Sequence, residues 1–503
     1  MTANANAKTS DTTGWAGHPR GLSVLFTTEM WERFSYYGIR PLLILFMTAA
    51  LIDGGFGFDR QTASSIVGIY AACVYLASLP GGWVADRLLG LRRAIWWGGC
   101  FIAAGHISIA LSLVLARPAF FLGLVLIVIG TGLLKPNISA IVGELYPEGG
   151  SRRDAGFSIF YMGINLGAFA APLITGYLGE RVGWHYGFGA AGLGMIIGLV
   201  AFRAREHLLG TLGSEPTGNE DEKRRVRMVC GGTLAAIGLV SLLTMLGVIQ
   251  INPVAVAQSM TFVIVGTAIL YFGYLFFGAG LSGDDKKRVA VIAVLFVFSA
   301  IFWSAFEQAP TSLNLFARDY TDRTIFGWEM PTLWLQSVNS IFVIAFAPVF
   351  ALVWTALGKQ GKNFSSPAKF AAGLLVTGFA FYMMVVPSNM ILAAGGALRV
   401  SMLWLTVSYL LQTFGELLIS PVGLSSMTKL APSRFSGQMM GVWFTATALG
   451  NLIAGLVGGN VDPEKLEQMP LLFQRTAMSL FVSMAVLALL AIPIRKMMKD
   501  KET

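Results

Sequence analysis

Apolar residues recur along this chain in runs of about twenty, the length that crosses a bilayer as a helix, each closed by a short polar or charged break. The runs predict spans near residues 22–51, 62–86, 93–115, 119–142, 156–179 and 185–203, then 228–250 and 254–280. A further six lie near 289–317, 332–357, 368–388, 399–420, 435–459 and 472–495, making fourteen. One break is longer than the rest: Arg203–Arg227, which contains EPTGNEDEKRRVR. The layout predicts a tail (1–21), a six-helix bundle (22–203), a linker (204–227), two inserted helices (228–280), a joint (281–288), a second six-helix bundle (289–495) and a tail (496–503). The fold class is therefore an all-α polytopic membrane protein.

The first span departs from the pattern. Thr28–Arg40 reads TEMWERFSYYGIR and sets Glu29, Glu32, Arg33 and Arg40 inside an otherwise apolar frame. At about 100° per residue, Glu29, Arg33, Tyr36 and Arg40 share one stripe, with Glu32 beside it. Each such charge costs at least ~2.5 kcal/mol at the bilayer centre, so the stripe must face protein or water. Glu29 and Arg33, four apart, can pair along the helix, which by itself would serve packing. Arg40 has no local partner, and an intramembrane charge in that position marks a functional site.

Charge distribution fixes the class and the orientation. Mean hydropathy is +0.66 and only 13 % of residues are charged, against about 25 % in soluble domains. The net charge of +9 comes from short loop clusters rather than a basic face, which excludes a nucleic-acid partner. With the N terminus placed inside, twenty-five of the thirty-six Lys and Arg fall on the cytoplasmic side and eight outside. Arg33, Arg40 and Lys135 remain in the membrane. This bias predicts both termini in the cytoplasm and an even number of spans. The first twenty residues show no signal peptide. Cys73, Cys100 and Cys230 lie in apolar segments without metal spacing and are expected to be reduced.

The ExxERFxYYG pattern formed by Glu29, Glu32, Arg33, Phe34, Tyr36, Tyr37 and Gly38 resembles the first-helix signature of the proton-dependent oligopeptide transporters, within the major facilitator superfamily. GGWVADRLLGLRR (81–93) resembles that superfamily's loop motif, and FYMGINLGAF (160–169) resembles the family's second signature. The resemblance covers almost the whole chain and implies the major facilitator plan, two six-helix bundles about a central site. The two inserted helices are usual among bacterial relatives and interrupt no motif.

Other spans supply further polar groups. Lys135 stands in GTGLLKPNIS, where Pro136 and Asn137 break the helix and suggest a cavity wall. Asn165 lies in the second signature, and Trp303, Phe306 and Glu307 come at i, i+3 and i+4 in FWSAFEQAPTS. Asn339, Glu416 and Trp443 follow in sequence contexts where the family places pocket residues.

Four deep carboxylates (Glu29, Glu32, Glu307, Glu416) face three deep cations (Arg33, Arg40, Lys135), which leaves one carboxylate over to hold a proton. Glu29, Glu32, Arg33 and Glu307 are the expected proton-coupling groups. Arg40 and Lys135 suit a carboxylate, while Asn165, Asn339 and Glu416 suit an ammonium. Tyr36, Tyr37, Tyr75, Trp303, Phe306 and Trp443 would hold varied side chains. The first helix and the one carrying Glu307 occupy equivalent places in the two bundles, so Arg40 and Glu307 are expected to pair. The resemblance implies a proton symporter of di- and tripeptides in the plasma membrane. It needs no cofactor beyond the coupling proton, no metal and no obligate protein partner. Alternatives are a proton-coupled carrier of another small anion and a non-transporting nutrient sensor. An enzyme is disfavoured, because His18, His106, His185 and His207 are scattered without ligand spacing.

Overall fold

The structure is a computed structural model that describes residues 11–147, 150–360 and 364–498. The cytoplasmic assignments of Lys8, Lys362, Lys499 and Lys501 lie outside the described residues. Among the described residues, fourteen long helices follow the apolar runs. The first, α1, is Arg20–Thr48. Then come α2 (Arg60–Leu89), α3 (Leu91–Val114), α4 (Arg117–Glu144), α5 (Gly150–Val182), α6 (Trp184–Leu209), α7 (Glu220–Thr244) and α8 (Pro253–Phe277). The last six are α9 (Gly283–Tyr320), α10 (Thr332–Lys359), α11 (Ser366–Ala393), α12 (Leu403–Leu430), α13 (Gln438–Gly458) and α14 (Gln468–Ile494). All but α1 are long and apolar enough to cross a membrane. The exception has the length, but the four charges within Thr28–Arg40 set it apart.

The helices gather into two compact units. The first takes the chain up to Ile39 together with Leu76–Ile251, and the second takes Arg40–Tyr75 together with Asn252 onward. In the first unit, α3 and α4 pack antiparallel, Gly98 against Gly130 and Gly105 against Gly123, so closely that a Cβ would meet the facing carbonyl. Thr175 donates to the Gly38 carbonyl at 3.0 Å and holds α5 to α1. The last turn of α2, Ala85–Leu89, is π-helical and stops at Gly90, whose φ of 79° suits glycine. Part of the polar linker is helical. Asn219 and Glu222 form a capping box that starts α7 at Glu220, ahead of the apolar run.

In the second unit, the first half of α2 lies on α13 along a seam of small residues. Gly68 meets the Asn451 carbonyl and Gly455, and Ser64 meets Gly458. Such residues let helix backbones approach closely. Four two-residue strands sit beyond the helix ends: β1 (Thr321–Asp322), β2 (Thr324–Ile325), β3 (Trp328–Glu329) and β4 (Val400–Ser401). They pair as β1 with β4 in parallel and β2 with β3 as a hairpin.

Candidate functional site

The first unit carries the charge cluster of α1. Arg33 Nε lies 3.0 Å from Glu29 Oε1, and Arg33 also pairs with Glu32. Helical spacing alone brings these three together, with the arginine four residues after one glutamate and next to the other. All are buried, at 2 % (Glu29), 1 % (Glu32) and 3 % (Arg33) exposure. The Arg33 guanidinium stands over the Tyr36 ring at 5.3 Å, and Tyr36 meets Tyr37 edge-on at 5.2 Å. Lys135 is within electrostatic reach of Glu29, and α4, which carries it, runs unbroken through Pro136 and Asn137 where the sequence predicts a break. Asn165 is also buried and donates through Nδ2 to the Tyr161 carbonyl of its own helix at 3.0 Å.

The second unit carries the other group. Arg40 is 6 % exposed and Glu307 5 % exposed, and the two form a buried ion pair. Arg40 Nη2 also donates to Asn451 Oδ1 at 2.6 Å, and Asn451 donates back along α13 to the Thr447 carbonyl at 2.9 Å. Glu307 stands where α9 loses its regularity. The α-helix ends at Phe306, a π-turn covers Ala309–Leu313, and a short α-helix resumes at Asn314. Pro310, which lacks an N–H, explains a break at this point. Gln308 stitches it, donating to the Ser304 carbonyl at 3.1 Å and accepting from Ser312 at 3.1 Å. Irregular backbone at membrane depth is tolerated where protein or a cavity surrounds it. Asn314 donates to the Pro41 carbonyl at 2.8 Å, which joins the second half of α1 to α9 beside the ion pair.

Around this pair, Trp303 meets Phe306 edge-on at 5.5 Å and Trp443 at 6.4 Å. Among the described residues, the buried Trp303 indole N–H has no hydrogen-bond partner. Trp443 is buried and packs on Gly423. Tyr75 stacks with Phe444 at 6.4 Å. Asn339 donates to Thr413 Oγ1 at 2.8 Å and lies beside Glu416, which is also within reach of Glu307. Oε2 of Glu416 is buried with no hydrogen-bond partner among the described residues.

Two features escape a reading of the sequence. Asn451 lies in a glycine-rich apolar helix and has no charged neighbour in the chain to flag it. Arg60 Nη1 donates to Asp319 Oδ2 at 2.5 Å and to the Val461 carbonyl at 3.1 Å, and Arg318 Nη1 donates to Thr48 Oγ1 at 2.8 Å. The positive-inside pattern places both arginines only as charges at span ends. Among the described residues, no three His, Cys, Asp or Glu side chains are grouped to hold a metal ion.

Residues 92–467 match the family model described as the POT family. The chain is 50 % identical over 493 residues to the peptide transporter YePEPT of Yersinia enterocolitica, covering 97 % of this chain and 96 % of that protein. It is 39 % identical over 448 residues to a di-/tripeptide transporter of Lactococcus lactis subsp. cremoris, covering 87 % and 88 %. Among solved structures, a peptide transporter POT in complex with sulfate superposes with a TM-score of 0.88 at 39 % identity, covering 97 % of each chain. A POT family transporter in complex with 5-aminolevulinic acid gives a TM-score of 0.87 at 36 % identity, covering 96 % of this chain and 99 % of that one.

Proposed function

The chain belongs to the POT family, and from that premise we propose that it is a proton-coupled symporter importing di- and tripeptides by alternating access. The observation that carries this reading is the buried Arg40–Glu307 pair, held from a third side by Asn451. A proton on Glu307 cancels the charge that holds Arg40. The guanidinium, still anchored by Asn451, then offers donors to a peptide carboxylate. Proton and substrate carboxylate thus satisfy the two halves of one pair in turn.

The remaining groups take roles around that exchange. Glu29, Glu32 and Arg33 set or relay the proton. Lys135 is a second cation for the carboxylate. Glu416 and Asn339, with Asn165, take the peptide ammonium. Tyr36, Tyr37, Tyr75, Trp303, Phe306 and Trp443 accept varied side chains by packing. The protein would lie in the bacterial plasma membrane with both termini cytoplasmic, its two six-helix bundles joined by the inserted pair α7 and α8. The test is uptake of a labelled dipeptide into proteoliposomes with and without an inward proton gradient. Accumulation above equilibrium only with the gradient supports symport; equal uptake in both conditions refutes coupling, and none in either refutes transport.

A further inference from the structure

The inserted helix α7 buries little of itself: among its residues only Val226 is fully enclosed, and the apolar run from Met228 onward is largely exposed. Its N-terminal end is bound quite differently. Arg87, in the π-helical turn that ends α2, donates through Nη1 to both carboxylate oxygens of Glu222 at 2.9 and 3.0 Å. The same Glu222 closes the capping box of α7, accepting from the Asn219 N–H at 3.1 Å. One carboxylate therefore starts the inserted helix and ties it to the α2–α3 turn.

The segment leading into α7 continues this attachment. Thr217 donates its N–H and its hydroxyl to the Asp86 carbonyl at 2.7 and 3.0 Å. Arg92 donates its N–H to the Gly213 carbonyl at 2.9 Å, and its guanidinium reaches the carbonyls of Gly210 at 2.7 Å and Glu206 at 3.0 Å. The two backbones touch at glycines on both sides. A Cβ on Gly90 would come to 2.8 Å from the Ser214 carbonyl oxygen, and one on Gly218 would overlap the Arg87 carbonyl. Backbone acceptors facing a hydroxyl, an amide and a guanidinium form a fitted joint rather than a loose crossing.

We propose that the segment from Glu206 to Glu222 is a clamp through which the two-helix insertion positions the α2–α3 turn, with Glu222 as its principal positioning residue. The π-helix is rare and occurs mostly as single turns, frequently at functional sites. Here Arg87, Asp86 and Arg92 are each held by the insertion's leader. The turn then moves with the clamp as one piece, and a loosened clamp slows every conformational step that moves α2. Substrate affinity is untouched, because no clamp residue belongs to the peptide-binding groups. The rate part of this proposal rests on the transport reading; the structural part does not.

The experiment compares the parent with Glu222→Gln, Gly218→Ala and the exchanged pair Arg87→Glu/Glu222→Arg, all as full-length purified protein. Glu222→Gln removes the charge, and Gly218→Ala pushes the backbones apart without changing any charge. Both should speed amide hydrogen exchange across residues 85–93 several-fold, with the other helices protected as in the parent. Both should lower the maximal rate of dipeptide uptake about threefold and leave KM unchanged, while the exchanged pair recovers most of that rate. Parental exchange across 85–93 in both single variants overturns the clamp. Faster exchange with a parental maximal rate overturns its positioning role and leaves a structural joint. If the parent itself carries no peptide, the transport reading fails, and the exchange measurement still decides the clamp.

Discussion

The charge cluster at Arg33 and the pair at Arg40 stand seven residues apart in the sequence of one helix, yet they are built on opposite principles. Arg33 meets Glu29 and Glu32 within a single turn of α1. That cluster is made by the helix itself and persists wherever the helix goes. Arg40 meets Glu307 and Asn451 from α9 and α13, hundreds of residues away in sequence. That pair lasts only while three helices stay together. A local cluster can store or pass charge without reporting on conformation, whereas a long-range pair makes conformation depend on charge. Coupling requires the second kind, and the first can feed it.

Three substitutions probe this division. Arg33→Gln should have the largest effect, because it leaves two buried carboxylates without their shared cation. Breaking a buried ion pair in this way costs about 3–5 kcal/mol. We expect a sharply lower thermal midpoint in detergent and no uptake in any mode; a parental midpoint would show that the cluster is not structural. Glu307→Gln should come next, since it mimics the protonated pair permanently. Gradient-driven accumulation should fall more than tenfold while peptide exchange without a gradient continues. Parental accumulation would remove Glu307 from coupling, and loss of both modes would make the pair structural. Asn451→Ala should be the mildest. It deletes one hydrogen bond to a charged group, worth about 1.5–3 kcal/mol, and should lower the midpoint by clearly less than Arg33→Gln does. An equal drop would make Asn451 as necessary to the Arg40 site as the glutamates are to Arg33.

Much of this molecule was legible in one dimension, and the parts that were not share a cause. Thirteen spans could be found because an unbroken run of about twenty apolar residues is the mark of a helix that crosses a bilayer. The first helix could be found because its charges fall at helical spacing inside such a run. Arg40 and Glu307 could be matched as a deep cation and a deep anion without local partners. Asn451 could not, since a neutral amide announces nothing until a guanidinium arrives beside it. The break after Glu307 was signalled by Pro310, but the way Gln308 repairs it was not. Least legible was the clamp on the α2–α3 turn, where carbonyls and glycine backbones do most of the binding and no side-chain pattern records them. Gly218, a natural place for a topology label in a polar linker, is pressed against the Arg87 backbone. The label belongs instead at exposed Glu215. Glu215→Cys should resist an impermeant thiol reagent added outside intact cells; labelling there would invert the proposed orientation.

The glycine and serine seam between α2 and α13 has a thermal consequence. Heat capacity rises with newly wetted apolar surface, by about 0.45 cal/K/mol per Å², and falls with wetted polar surface, by about 0.26. At Ser64, Gly68, Gly455 and Gly458, parting the helices wets mostly peptide groups, one hydroxyl and small patches of carbon. The two contributions oppose each other, so the net change is smaller than for an apolar seam of equal area. A seam of interlocked leucines would give a step whose apparent activation enthalpy drifts with temperature. Where parting this seam limits the cycle, this one should give a less curved Eyring plot. Gly68→Leu, which forces a large apolar side chain into the seam, should both slow that step and bend the plot.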